Sequence, residues 1–471
     1  MSEYISSISQ EALSTLCEEL SKNSHINPEF YQRFDVKRGL RNADATGVLA
    51  GLTRVCSVEG YYIDDGEKVP KEGRLVYRGI NMKDIVDNCE KENRFGYEEV
   101  VWLLLFGVLP TKEQLKWFCD LLAECRDLPE DFIEDMIMKA PSQDIMNKCA
   151  RSVLALYSYD PNPDDISPEN VLRQSIQLIA QLPTIMTAAY QVKRRAYDKK
   201  SMFFHPNKKE LGTAENILRS IRPDKFFTDD EAKLLDICMI IHAEHGGGNN
   251  STFTTRCITS SGTDTYSAIA AGIGSLKGPR HGGANIKVHK MVDDIKSNIS
   301  DITDEGQVAD YLTKIMNKQA GDGTGLIYGM GHAVYTLSDP RAVILRHYAE
   351  EFAKKSGCEA DFKLLSLIES LTPELFAKHR GSKKKICANV DLYSGLIYDM
   401  LGIPQELFTP LFMAARSAGW AAHRLEEITT GGRIIRPAYK NVTIPREYVP
   451  MSERIIRTDA VQKEYIPIEE R

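Results

Sequence analysis

The chain has 471 residues, 42% hydrophobic and 27% charged, an ordinary globular composition that excludes general disorder. At roughly 150 residues per domain, this length allows two or three domains, or one large domain carrying a smaller one. Lys and Arg number 59 against 66 Asp and Glu, a net charge of −7, which argues against a nucleic-acid binder yet leaves room for a local arginine cluster holding an acidic substrate.

The opening MSEYISSISQEALSTLCEEL carries acids and no basic region, so neither a secretory signal nor an arginine-rich transit peptide is expected there. Residues 61–63 and 74–77, separated by Asp64-Asp65-Gly66 and further polar residues, predict one small β-hairpin. Residues 98–109, EEVVWLLLFGVL, are apolar nearly all round and predict a buried helix stopped by Pro110. The apolar run from Val100 to Leu109 is about half the length a bilayer needs, so no membrane contact is expected. Thr111 and Gln114 form a capping box for the next helix. After the YDPNPDD loop, Ser167 caps a helix with Pro168 at its first position. Its apolar stripe is Leu172, Ile176, Ile179, Met186 and Ala189, and Pro183 is expected to kink it. Thr228 and Glu231 cap a further helix, predicted to place Leu234, Cys238, Ile241 and His245 on one face. No regular strand–helix alternation exists, so a parallel sheet is rejected in favour of a large, mostly α protein. The ten cysteines are scattered without a C-x-x-C pair and read as reduced core residues of a cytoplasmic protein.

Five segments depart from plain helix composition: IHAEHGGGNNS from 241, KGPRHGGAN from 277, GMGHAVYTLSDPR from 329, ANVDLYSG from 388, and MAARSAGW from 413 running on to GGRIIRP. His242 and His245 form H-x-x-H. They read as a metal pair, as a helix end satisfying carbonyls before three glycines, or, for His245, as a donor pointing into a cleft. His281, followed by two glycines, is either a turn residue or a neutral donor to a developing oxyanion at a helix start. His332 follows Gly329-Met330-Gly331. The GDGTG just before it completes no nucleotide-binding pattern. Asp339-Pro340-Arg341 predicts a turn placing Arg341 at a new element. Asp391, among apolar residues, is a helix cap or a partly desolvated base. Arg416 lies mid-helix among small apolar residues, where an arginine needs an anionic partner. Arg433 and Arg436 follow a Gly431-Gly432 stop. Together these residues suit proton abstraction beside a carbonyl, with histidines holding oxyanions and arginines holding carboxylates.

In this order, H-x-x-H-G-G-G-N, G-P-x-H-G-G-A-N, G-x-G-H-A-V with D-P-R nine residues after the histidine, and N-V-D-x-x-S-G resemble citrate synthase of the Si type, from about Arg41 to Pro437. YRGI at 77 and YEEVVWLLLFGVLPT at 97 are similar to that family too. The resemblance implies a mostly α, two-domain helical fold: a large domain over 1–282 and 398–471, a small one over 283–397, and the active site in the cleft between them. It implies condensation of acetyl-CoA with oxaloacetate and water to citrate and CoA, an acyl transfer in the tricarboxylic acid cycle. His281, His332 and Asp391 would be catalytic. His245, Arg341, Arg416 and Arg436 would bind oxaloacetate, Arg436 from the partner subunit of a homodimer. Arg41 would contact CoA phosphate, and the backbone at Gly329, Met330 and Gly331 the adenine. CoA enters as the carrier of the acetyl substrate, and no tightly bound cofactor, metal, nucleic acid or membrane is expected. Thr336 stands where some members carry an arginine for CoA phosphate, which shifts that role to other cations such as Lys383, Lys384 and Lys385. The alternatives are 2-methylcitrate synthase with propionyl-CoA, a metal hydrolase using His242 and His245, and a helical interaction protein.

Overall fold

The computed structural model describes residues 9–23, 25–42, 44, 46–381, 385–443 and 445–454. The chain divides into two compact units, one of Met1–Val48 with Arg436–Arg471 and one of Leu49–Ile435. In the first, helices Gln10–Asn23 and Glu29–Arg33 precede a short turn of helix at Arg38–Leu40, Arg41 bridges to Gly47, and the Lys440 ammonium lies 5.4 Å from the Phe34 ring centre. From Arg436 to Arg454 the described chain has no regular element except the turn Met451–Glu453.

The second unit is helical apart from one three-stranded sheet of the order β1 (Cys56–Asp64), β2 (Glu67–Tyr77) and β3 (Ile80–Asn81). A hairpin forms as expected but with longer strands: residues 61–63 pair with 68–70 and residues 74–77 with 56–59, and Asp64 lies opposite Glu67 around Asp65 and Gly66, both left-handed at φ 47° and 84°. The ladder slips between Glu59 and Tyr61. Glycines occupy the two places where the hairpin meets the segment that joins His332 to Arg341. A Cβ on Gly60 would come within 2.7 Å of the Val334 carbonyl oxygen. One on Gly73 would run into the Ser338 carbonyl, with Tyr335 Cδ1 at 2.8 Å and Pro340 Cδ at 2.9 Å.

The helical expectations hold in kind and shift at their ends. Helix Tyr97–Phe106 is buried on nearly every side, but it ends at Gly107, which is left-handed at φ 82°, three residues before Pro110. Thr111 and Gln114 form their capping box, as do Thr228 and Glu231. Ser167 caps helix Pro168–Ala196, which continues through Pro183. Helix Asp229–His242 stops before His245, so that residue does not share its face with Leu234 and Cys238. The apolar helix Phe408–Thr429 is buried over every residue from Phe408 to Arg424 and packs against Tyr97–Phe106, Pro168–Ala196, Asp229–His242, Asn250–Thr259 and Thr265–Leu276. The one continuous core of this unit forms around it. Among the described residues no helix is long and apolar enough to cross a membrane.

The two glycine contacts make a stability prediction. Gly73→Ala must push backbone against backbone and should lose about 1–3 kcal/mol. Gly274→Ala, at an exposed helix position with nothing within 4 Å of the new Cβ, should be neutral or gain up to about 1 kcal/mol. Thermal unfolding of the two variants side by side checks this, and equal melting temperatures would show that the hairpin does not depend on the close approach.

Candidate active site

The central helix carries two fully buried arginines, treated in opposite ways. Arg424 gives its N–H groups to Thr259 Oγ1 at 3.1 Å, the Thr263 carbonyl at 2.8 Å and Thr265 Oγ1 at 3.3 Å. Arg416 gives Nε–H to the His242 carbonyl at 2.7 Å, and its Nη1 and Nη2 have no hydrogen-bond partner. Its guanidinium carbon lies 4.6 Å from the ring centre of Phe412, one turn earlier on the helix. Burial pulls its pKa down to about 10, so it stays charged at neutral pH. A buried cation with two free donor groups is an anion site.

His245 follows the end of helix Asp229–His242 and lies within the field of this cation. Tyr77 Oη–H donates to the Ile240 and Glu244 carbonyls, each at 3.1 Å. Gly246 turns the chain at φ 88°, in a place where a Cβ would meet Val58 at 2.9 Å. His245 is buried, its Nε2 has no hydrogen-bond partner, and its ring meets that of His332 edge-on at 5.1 Å. Burial, then Arg341, His332, Arg416 and His281, hold its pKa far below the usual imidazole range, so it is neutral. His242 faces Phe412 instead, at 4.5 Å between ring centres, so the two histidines of H-x-x-H have different neighbours. Among the described residues no group of three or more His, Cys, Asp or Glu is placed to hold a metal ion.

His281 lies in the turn before helix Ala284–Asn298, pinned where Thr409 Oγ1–H donates to the Gly282 carbonyl at 3.1 Å. The Ser251 N–H donates to His281 Nε2 at 3.3 Å, with Ser251 Oγ at 3.0 Å, and Trp420 Nε1–H fixes that hydroxyl at 3.1 Å. Nε2 is therefore the acceptor, and the neutral ring carries its proton on Nδ1. Burial, with Arg416 adding to it, lowers the pKa to about 4.

His332 and Asp391 are brought together by pairing between two loops. Gly331 N–H donates to the Cys387 carbonyl at 2.7 Å and Asn389 N–H to the Gly329 carbonyl at 2.9 Å. The Asn389 amide donates to the Gly331 carbonyl at 2.9 Å and accepts the Asp391 N–H at 3.0 Å. Gly329 and Gly331 are left-handed at φ 81° and 91°, and a Cβ on Gly329 would meet Leu392 at 2.9 Å. His332 Nδ1 accepts the Val334 and Tyr335 N–H groups, each at 3.1 Å, which places its proton on Nε2 when the ring is neutral. The ring stacks on Tyr335 at 4.7 Å. Asp391 is the first residue of helix Asp391–Met400, partly buried, and burial raises its carboxyl to about 7 against the pull of Arg341. Arg341, 3% exposed, sits in the first turn of helix Pro340–Ser356 and is gripped by that helix's N-cap Asp339, Nε–H to Oδ1 at 3.0 Å and Nη2–H to Oδ2 at 2.7 Å.

The fold thus brings His245, His281, His332, Arg341, Asp391 and Arg416 into one neighbourhood within the second unit. Arg41, half-buried, and Arg436, exposed, belong to the first unit. Arg433 is exposed past the helix end, and Lys385 is exposed, while Lys383 and Lys384 lie outside the described residues. Sequence reasoning missed Phe412, Ser251, Trp420, Asn389, Tyr335 and Asp339 as site residues. Only Phe412, four before Arg416, and Asp339, two before Arg341, carried a signal in their spacing. Two neutral histidines, a third imidazole at His332, a carboxyl of raised pKa and two arginines can abstract a proton beside a carbonyl, steady the resulting oxyanion and hold carboxylates.

The fold and the enzyme chemistry of its relatives place the chain in the class of mostly helical acyl-transfer enzymes. Residues 44–438 match the family model described as citrate synthase, C-terminal domain. The chain is 34% identical over 419 residues to a citrate synthase from Synechocystis, covering 87% of this chain and 93% of that one. It is 33% identical over 431 residues to 2-methylcitrate synthase 1 of Corynebacterium glutamicum, covering 89% and 98%. The crystal structure of citrate synthase from Thermotoga maritima superposes with a TM-score of 0.70 at 28% identity, covering 89% of this chain and 99% of that one. The chain belongs to the citrate synthase family.

The raised Asp391 carboxyl makes a prediction independent of catalysis. The folded chain keeps a proton up to about pH 7 that an ordinary carboxyl, at 3.8, has already released. This group's stabilising contribution is therefore full below about pH 4 and is lost as pH rises through about 7. Asp391→Asn removes that dependence. Its melting temperature relative to wild type should rise between about pH 5 and about pH 8, and a pH-independent difference would show that the carboxyl titrates normally.

Proposed function

We propose that the chain is a citrate synthase that condenses acetyl-CoA with oxaloacetate and water to give citrate and CoA. The observation that carries this reading is the buried Arg416, with two unpartnered nitrogens beside three imidazoles. Oxaloacetate carboxylates bind Arg416 and Arg341, with His245 donating to the same substrate and Arg436 contributed by the partner subunit of a homodimer. Asp391, ionised, takes a proton from the acetyl methyl group. The Nδ1–H of His281 donates to the thioester oxygen as the enol forms. The Nε2–H of His332 polarises the oxaloacetate ketone and is donated to its oxygen as the new carbon–carbon bond closes. Water then cleaves the citryl thioester. Neutral imidazoles suit these roles because a developing oxyanion needs a donor matched to its own basicity, and burial, with the nearby arginines adding to it, keeps His245 and His281 uncharged.

CoA is a substrate carrier here, not a resident cofactor, with Arg41 at its phosphates and the backbone of Gly329, Met330 and Gly331 at its adenine. The cleft lies between a large domain, 1–282 with 398–471, and a small domain, 283–397. Closure on oxaloacetate completes the thioester site. The reaction belongs to the tricarboxylic acid cycle of the cytoplasm. The second reading, a 2-methylcitrate synthase using propionyl-CoA, is favoured by relatives of that name at 33% and 30% identity. One methylene in an apolar pocket separates the two donors by about 1–3 kcal/mol.

A thiol-release assay with oxaloacetate and either thioester tests the reading. Faster turnover per unit KM with acetyl-CoA supports it, preference for propionyl-CoA gives the second reading, and no thiol release with either removes both. In the same assay Asp391→Asn should lose about 10²–10⁴ in kcat while still binding oxaloacetate. Arg416→Lys loses the planar guanidinium fork and should raise the oxaloacetate KM at least about tenfold. An unchanged KM would place the carboxylates elsewhere.

A further inference from the structure

Arg341 and Arg416 are neutralised differently. Asp339 occupies the fork of Arg341 with two hydrogen bonds. No carboxylate bonds Arg416, yet one stands close by. Glu244 lies between His242 and His245 in sequence and is fully buried. Its Oε1 accepts from His423 Nε2–H at 3.1 Å and from the Gly246 N–H. Its Oε2 has no partner and is pressed against the central helix at Gly419, where a Cβ would collide with it, three residues from Arg416. Arg416 in turn bonds the carbonyl of His242, two residues before Glu244. Carboxylate and guanidinium therefore sense each other's charge while Oε2, Nη1 and Nη2 all stay unbonded.

A chain of polar groups holds the carboxylate there. Arg256 Nη1 lies 2.9 Å from His423 Nδ1, and a guanidinium only donates, so Nδ1 accepts and Nε2 keeps the hydrogen that points at Glu244. Arg256 is fixed by Glu426 Oε2 and Glu427 Oε2, each at 2.8 Å, and Glu426 also accepts the Arg54 N–H at 2.7 Å. Burial raises the Glu244 pKa, but His423, Arg416 and the Gly246 N–H outweigh it, and the group is ionised.

We propose that Glu244 is a positioning residue acting through Arg416: an unbonded, fixed counter-charge that weakens the hold of the guanidinium on its dianionic ligand while leaving both Nη groups free to bind it. The inference rests on Arg416 being an oxaloacetate ligand. A bonded carboxylate would block the fork, and no carboxylate at all would leave a bare buried cation that binds substrate and product more tightly than turnover needs.

The test measures equilibrium binding of oxaloacetate and inhibition by citrate in the full-length protein carrying Glu244→Gln. The amide keeps an oxygen for both N–H donors, so it removes charge with little change of shape. Oxaloacetate and citrate should each bind about three- to tenfold tighter. Glu244→Asp, which keeps the charge, should stay within about twofold of wild type. Folded Glu244→Gln with unchanged or weaker binding of both ligands would overturn the proposal, as would Glu244→Asp tightening binding as much as Glu244→Gln does. If Glu244→Gln does not fold, Glu244→Met is measured in its place, with the same tightening expected. Failure of both neutral variants to fold, with Glu244→Asp folding normally, would make the charge a requirement of the fold and overturn the proposal. Arg416→Lys is the control. If it leaves oxaloacetate binding unchanged, the ligand assignment of Arg416 fails, whatever Glu244 does.

Discussion

A guanidinium with no exposure and two unpartnered nitrogens is an expensive object to hold inside a protein, and the arrangement around Arg416 follows from holding it. The helix that carries it is buried over its whole first part, so the charge cannot reach solvent by bending its side chain outward. The His242 carbonyl and the face of Phe412 offset part of the desolvation. Arg424 shows what the same helix does with a structural arginine: it surrounds it with threonine oxygens. The contrast separates a guanidinium bonded at all three nitrogens from one bonded at Nε alone.

The protonation states of the site follow first from burial and then from the charges around it. His245 and His281 lie within the field of Arg416 and in low-dielectric surroundings, and both effects disfavour imidazolium. Each of the two outer histidines then has its tautomer chosen by backbone or side-chain donors, Ser251 for His281 and the Val334 and Tyr335 amides for His332. Asp391 moves the other way because it is desolvated, and Arg341, already engaged by Asp339, only partly restores its acidity. One buried environment thus raises the carboxyl and lowers the two imidazoles, because desolvation disfavours the charged form of each.

Glycine makes the geometry attainable. Gly60 and Gly73 let β1 and β2 press on the segment between His332 and Arg341, and Gly329 lets the loop before His332 lie on Leu392 beside Asp391. These contacts join parts of the chain far apart in sequence, with no room for a side chain on the glycine.

The sequence by itself determined the helical class and a hairpin, and it marked out the polar residues that the fold gathers in one neighbourhood. Capping boxes at Thr111 and Thr228 and the all-round apolar helix after Gly96 are local, short-range signals, and they need no knowledge of the rest of the chain. His281, His332, Asp391 and Arg416 were legible because polar groups stood where composition called for apolar ones, or beside glycines. The tertiary structure alone decided that helix Asp229–His242 ends before His245, where the Tyr77 hydroxyl from the hairpin bonds the Ile240 carbonyl inside the helix and the Glu244 carbonyl beyond it. It alone decided that Ser251 and Trp420 set the His281 tautomer, that Asn389 ties two loops together, and that Glu244 faces the helix of Arg416. Each of these depends on groups separated by tens to hundreds of residues. Periodicity and spacing report what neighbours along the chain do, whereas field and desolvation at a point depend on whatever the fold has placed around it.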